Sequence, residues 1–119
     1  MEVIIRPDAT EAAELTACLT AKALREKSDA VLGLATGRTM EWVYARLVTM
    51  HRQGELDFSR ITTFNLDEYV GLAPEDEHSY RYYMNAHLFN NVNIDPVNTH
   101  LPKGVAPHLD AECAAYEKL

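Results

Sequence analysis

The chain has 119 residues, 47% of them hydrophobic and 24% charged, with a formal net charge of -7. This composition belongs to a folded globular protein rather than a disordered one, and the length allows one domain at most, at the small end for an α/β enzyme. The acidic balance argues against a general nucleic-acid or anionic-membrane surface, which needs clustered Lys and Arg; it leaves room for a small phosphorylated ligand, because salt screens distant charges over about 8–10 Å and local N–H groups decide such a site.

Val3-Ile4-Ile5 is a short β-branched run stopped by Pro7, and reads as a first strand. Asp8 with Glu11 three residues on is a near variant of a capping box. Leu15, Cys18, Leu19 and Ala23 then recur at helical spacing, which predicts a helix from about Thr10 to Lys27. Ala30 to Ala35 is a nearly unbroken apolar run of the kind expected of a parallel strand covered on both faces. Val43, Leu47 and Met50 mark the buried stripe of a second helix that Gly54 can end. Ile61 to Leu66 is the next strand, and the polar stretch from Gly71 to His78 an exposed loop. Ser79 is a natural N-cap for a helix carrying Tyr83, Met84 and Leu88. Asn93-Ile-Asp-Pro96 marks a turn, Thr99-His-Leu101 a further short strand, and Asp110 to Leu119 a last helix.

The alternation of strands and helices with short joints implies a parallel sheet with right-handed crossovers, hence a doubly wound α/β layer in which ligands gather at the carboxyl ends of the strands. The final helical pattern has no Gly, Asn or Pro to stop it, so residues 1–119 are expected to be a single domain truncated at its C-terminus. A sheet cut in this way keeps an open edge, from which a homo-oligomer is expected. Cys18 and Cys113 show no paired spacing and are expected to be reduced, packed thiols. No apolar run approaches the ~20 residues of a membrane span, and the first residues lack the layout of a signal peptide, so a cytoplasmic location is expected.

Two segments carry chemistry. In Ala30-Val-Leu-Gly-Leu-Ala-Thr-Gly-Arg-Thr39 a buried strand runs through a turn into a helix. Such a turn aims several backbone N–H groups at one spot, where the helix dipole adds about half a positive charge. Gly37 permits a conformation that a Cβ would block, Thr36 and Thr39 offer hydroxyls, and Arg38 adds a formal charge; a phosphate ester fits this set. The competing reading is an ordinary turn with Thr39 as helix N-cap. Neither a dinucleotide fingerprint nor a nucleotide-triphosphate loop is present. In Thr63-Phe-Asn-Leu-Asp-Glu-Tyr-Val-Gly-Leu72, Asp67 and Glu68 cluster where a strand ends, as a general base with a neighbouring charge would, although either could merely cap the loop. The five histidines make no ligand set and no metal is expected. Among Tyr80, Tyr82 and Tyr83, packing is the expected role of Tyr83, and Tyr80 is a possible substrate contact.

At these residues the chain resembles the glucosamine-6-phosphate deaminases (isomerases). Gly33 to Thr39 is similar to that family's phosphate loop, Thr63 to Leu72 follows its signature almost residue for residue, and Ser79-Tyr80, Phe89 and Asp110 to Tyr116 also fit. The resemblance implies a Rossmann-like fold and cofactor-free conversion of glucosamine 6-phosphate to fructose 6-phosphate and ammonia. It implies that Thr36, Gly37, Arg38 and Thr39 hold the sugar phosphate, that Asp67 is the base moving a proton between C2 and C1, and that Glu68 acts beside it. Arg38 and Met40 depart from the family, which more often has Ser or Gly and Pro there. Members are about twice as long and carry a second acid/base group and a phosphate-binding Lys in the other half. A 6-phosphogluconolactonase-like hydrolase is the alternative enzyme, disfavoured by Tyr69 and by Val70-Gly-Leu72; a non-catalytic phosphosugar-binding module is the alternative of another class.

Overall fold

A computed structural model describes residues 1–119. Its first element is a helix, α1 (Ala9–Glu26), started by Asp8, whose carboxylate accepts the Glu11 N–H at 2.8 Å. β1 (Val31–Leu34), α2 (Arg38–Arg52), β2 (Thr62–Asn65), α3 (Tyr80–His87), β3 (Thr99–His100) and α4 (Leu109–Tyr116) follow, with short 3-10 turns at Phe89–Asn91 and Pro96–Asn98. Gly54, at φ +77, lies just past the α2 C-cap and ends that helix as expected, and Ser79 Oγ accepts the Tyr82 N–H to start α3. The architecture is α/β: the three strands form one parallel sheet in the order β1-β2-β3, with Leu34 opposite Asn65 and Phe64 opposite His100.

Val3-Ile4-Ile5 is not a strand, a correction to the sequence reading; the three residues are exposed and outside the sheet. β-branched residues favour extended backbone, but a strand exists only where a ladder accepts it, and here β1 pairs with β2 alone.

The buried stripe of α1 also differs from expectation. It is Ala13, Ala17, Ala21 and Leu24, whereas Cys18, Leu19 and Ala23 face solvent. Three alanines let the α1 backbone come close to α2, and the Glu14 carboxylate fixes the pair by accepting Arg46 Nε–H at 2.8 and 2.9 Å. Cys18 is consequently exposed, and Cys113 of α4 is exposed as well; both are free thiols, not packed.

Because the side chains of a strand alternate, the register sorts the sheet into two faces. Leu32, Leu34, Thr63, Asn65 and Thr99 point to one side, where they meet a core of Tyr44, Leu47, Phe58, Ile61, Met84 and Leu88. On the other side Phe64 stacks on His100, with ring centroids 4.5 Å apart, and Tyr116 of α4 covers it edge-on at 6.0 Å. Val31 on that face is 64% exposed, so β1 is covered on one face within these residues rather than on both.

Candidate active site

The site grows from the ends of β1 and β2. After Leu34 the chain makes a tight passage into α2 through Gly37, whose φ of 112° and ψ of 162° lie in a region open to glycine alone. Gly37, not Thr39, occupies the cap position, and no side chain caps α2. The N–H groups of Arg38 and Thr39, at the start of a 15-residue helix, are thereby left without a protein partner, with both residues exposed and Thr36 half-buried beside them. The turn is held from behind: Tyr44, buried in the core, donates its hydroxyl hydrogen to the Ala35 carbonyl, and Tyr83 of α3 donates to the Gly37 carbonyl at 2.8 Å. Burial raises both phenols above the ordinary tyrosine range, so each remains a donor at neutral pH.

Asn65 closes β2. Its side chain is buried and donates to the Leu34 carbonyl at 3.1 Å, which ties the two strand ends together, while its own carbonyl accepts the Tyr116 hydroxyl at 2.7 Å. The Asn65 Oδ1 atom is buried without a partner, as is Thr63 Oγ1. Leu66 and Asp67 then emerge into solvent, both exposed. Asp67 therefore stands free at the same sheet edge as the 36–39 turn, with its neighbour two residues back fixed.

Glu68 behaves differently from Asp67. Its Oε1 accepts the N–H groups of Tyr69 and Tyr80 at 2.9 Å, and its Oε2 accepts that of Arg81 at 2.9 Å. Both oxygens are thus engaged at the N-terminus of α3, where the helix dipole favours a carboxylate. Tyr80 lies between this anchor and Tyr69: the two rings are 4.7 Å apart and the hydroxyls 3.1 Å apart. That hydrogen bond pushes the Tyr69 phenol up, which keeps it neutral.

Sequence reasoning missed the residues that brace these segments. Tyr83 does more than pack, since it binds the turn; and at Gly104 a Cβ would lie 2.1 Å from the Tyr69 carbonyl and 3.2 Å from Glu68 Cγ. The flanking Pro102 and Pro107 were the available signal that this loop is fixed. The largest cavity, about 450 Å³, lies between this loop and α3 and is lined by Glu68, Leu72, Arg81, Lys103 and Glu112 among others; neither the 36–39 turn nor Asp67 lines it. The 36–39 turn and Asp67 sit instead on open surface. No cluster of three or more His, Cys, Asp or Glu is assembled for a metal.

The family described as "Glucosamine-6-phosphate isomerases/6-phosphogluconolactonase" matches residues 8–119. The glucosamine-6-phosphate deaminase of Clostridium beijerinckii is 49% identical over 118 residues, covering 99% of this chain and 49% of the relative. That of Bacillus velezensis is 50% identical over 119 residues, again 49% of the relative. A solved glucosamine-6-phosphate deaminase, described as monomeric, superposes with a TM-score of 0.96 at 43% identity, over 99% of this chain and 49% of its own. A 6-phosphogluconolactonase from Thermotoga maritima superposes with a TM-score of 0.74 at 23% identity, a likeness of fold alone. This chain spans about half the length of the curated relatives it matches. It belongs to the glucosamine-6-phosphate isomerase/6-phosphogluconolactonase family.

Proposed function

We propose that this chain carries the phosphate-binding and proton-transfer half of a glucosamine-6-phosphate deaminase, which converts glucosamine 6-phosphate to fructose 6-phosphate and ammonia. The observation that carries the reading is the register of β1 and β2. Leu34 lies opposite Asn65, so the uncapped turn at 36–39 and the free carboxylate of Asp67 leave the sheet side by side. Relatives named glucosamine-6-phosphate deaminase at 49 and 50% identity support the deaminase over the lactonase reading.

In this reading Thr36, Gly37, Arg38 and Thr39 hold the phosphate, and Tyr80 contacts the sugar. Asp67 takes the C2 proton of the open-chain amino sugar; the C2–H electron pair becomes the C1–C2 double bond, and the C1 carbonyl oxygen gains a proton. Returning the proton to C1 leaves an imine at C2. Water adds to that imine, ammonia departs, and the C2 ketone of fructose 6-phosphate remains. These steps need a positioned base and no external oxidant. The homo-oligomer expected from the open sheet edge gains no support from the relative described as monomeric.

The test has two parts. Fructose 6-phosphate should shift the backbone amides of residues 36–39 in this chain and in its Asp67→Asn variant alike. In the whole enzyme, Asp67→Asn should abolish ammonia release. Unshifted amides would remove the turn from the site, and retained turnover would remove Asp67 from the mechanism.

A further inference from the structure

We propose that α3 is a spacer, clamped at one end by Glu68 and on its flank by Tyr83, that sets the phosphate turn relative to Asp67, with Glu68 and Tyr83 as positioning residues. Its catalytic meaning rests on the function proposed above. Glu68 accepts three backbone N–H groups, from Tyr69, Tyr80 and Arg81, each at 2.9 Å. A carboxylate so engaged, with Oε1 accepting twice and Oε2 once, is held in place, and it belongs to the residue that follows Asp67. One helical turn further along α3, Tyr83 donates to the Gly37 carbonyl at 2.8 Å, across 46 residues of sequence.

The two clamps are about 4.5 Å apart along the axis of a rigid element, given a rise of 1.5 Å per residue. A planar trans peptide points its C=O and N–H in opposite directions. By holding the Gly37 carbonyl toward α3, Tyr83 therefore aims the Arg38 N–H away from α3, toward the open side of the turn. Gly37 needs such a restraint, because glycine has more backbone freedom than any other residue. The Gly37 carbonyl also accepts the Met40 N–H at 3.0 Å, so this peptide is held from both α2 and α3.

A double-mutant cycle on this chain, read by calorimetric titration, tests the spacer with two probes. Inorganic phosphate reaches the turn alone, whereas fructose 6-phosphate spans turn and Asp67. Glu68→Gln should leave phosphate affinity within about two-fold and lower fructose 6-phosphate affinity about five-fold, the weight of one ordinary hydrogen bond. Tyr83→Phe should lower both about five-fold. With α3 detached from the turn, adding Glu68→Gln should weaken fructose 6-phosphate no further. Multiplicative losses of about 25-fold in the double variant would overturn the spacer, since two independent contacts behave so. Equal losses of both probes in Glu68→Gln would overturn it too, as general damage. A fructose 6-phosphate that wild type does not hold would instead overturn the proposed function. Hydrogen exchange of the Met40 amide, which reads rare openings too sparse to change phosphate affinity, then decides the spacer alone: Glu68→Gln must speed it when Tyr83 is intact and have no effect when combined with Tyr83→Phe. Any other exchange pattern refutes it.

Discussion

Gly104→Ala is the substitution with the most to say about how the site is braced. The added Cβ would lie 2.1 Å from the Tyr69 carbonyl oxygen, 2.9 Å from that of Leu72 and 3.2 Å from Glu68 Cγ. Two of these neighbours are backbone and cannot swing aside. To restore even a 3.0 Å contact the Tyr69 carbonyl must retreat about 0.9 Å, the difference between 3.0 and 2.1 Å. That displacement pulls apart the loops joined by the Gly71 N–H, which donates to the Gly104 carbonyl at 2.8 Å. Overpacking costs about 1–3 kcal/mol and the strained hydrogen bond about 1. Against this, alanine lowers the entropy of the unfolded chain by about 0.4–1 kcal/mol. The net expectation is a loss of about 2 kcal/mol, which a urea slope of about 2 kcal/mol/M turns into a midpoint about 1 M lower. Gly33→Ala is the matched control: nothing lies within 4 Å of its Cβ, it sits in a strand, and it should gain about 0.5 kcal/mol. Urea unfolding of both variants, followed by circular dichroism, checks the pair. A Gly104→Ala midpoint at or above wild type would refute the close packing of the 101–107 loop on the 68–72 loop.

Gly37→Ala forces a Cβ into a glycine-only conformation and should cost about 1–3 kcal/mol, measured by the same urea midpoint, together with loss of the phosphate-induced amide shifts at residues 38 and 39. Asp8→Ala removes the α1 cap and should cost about 1 kcal/mol with faster amide exchange confined to the first turn of that helix; unchanged exchange there would refute the cap. The Ser59 N–H holds the Asp57 carboxyl below its ordinary value, and the His78 N–H does the same for Asp76. A depressed folded value means stability that is complete above the unfolded carboxylate pKa near ~4 and lost as pH falls through the folded one. The urea midpoint should therefore drop on acidification below about pH 4, and less steeply in an Asp57→Asn, Asp76→Asn double variant; parallel pH curves would contradict the assignment.

Local chemistry is enough to place the helix ends. Asp8 and Ser79 cap their helices through contacts within three residues, and Gly54 ends α2 through its own backbone freedom, so α1, α2 and α3 were legible in outline. The two motifs were legible as well, because residue type and spacing alone put a glycine turn after one strand and a carboxylate after the next. Tertiary structure decided everything that depends on a partner distant in sequence. Val3-Ile4-Ile5 has the composition of a strand, yet the sheet offers it no ladder. Leu15, Cys18, Leu19 and Ala23 have helical spacing, but the alanine face is the one that lets α1 approach α2. Asp67 and Glu68 look equivalent in the sequence. Only the return of α3 past the loop separates them, engaging Glu68 with three N–H groups and leaving its neighbour exposed. A periodicity reports which residues share a face, and it carries no information about which other segment that face will meet.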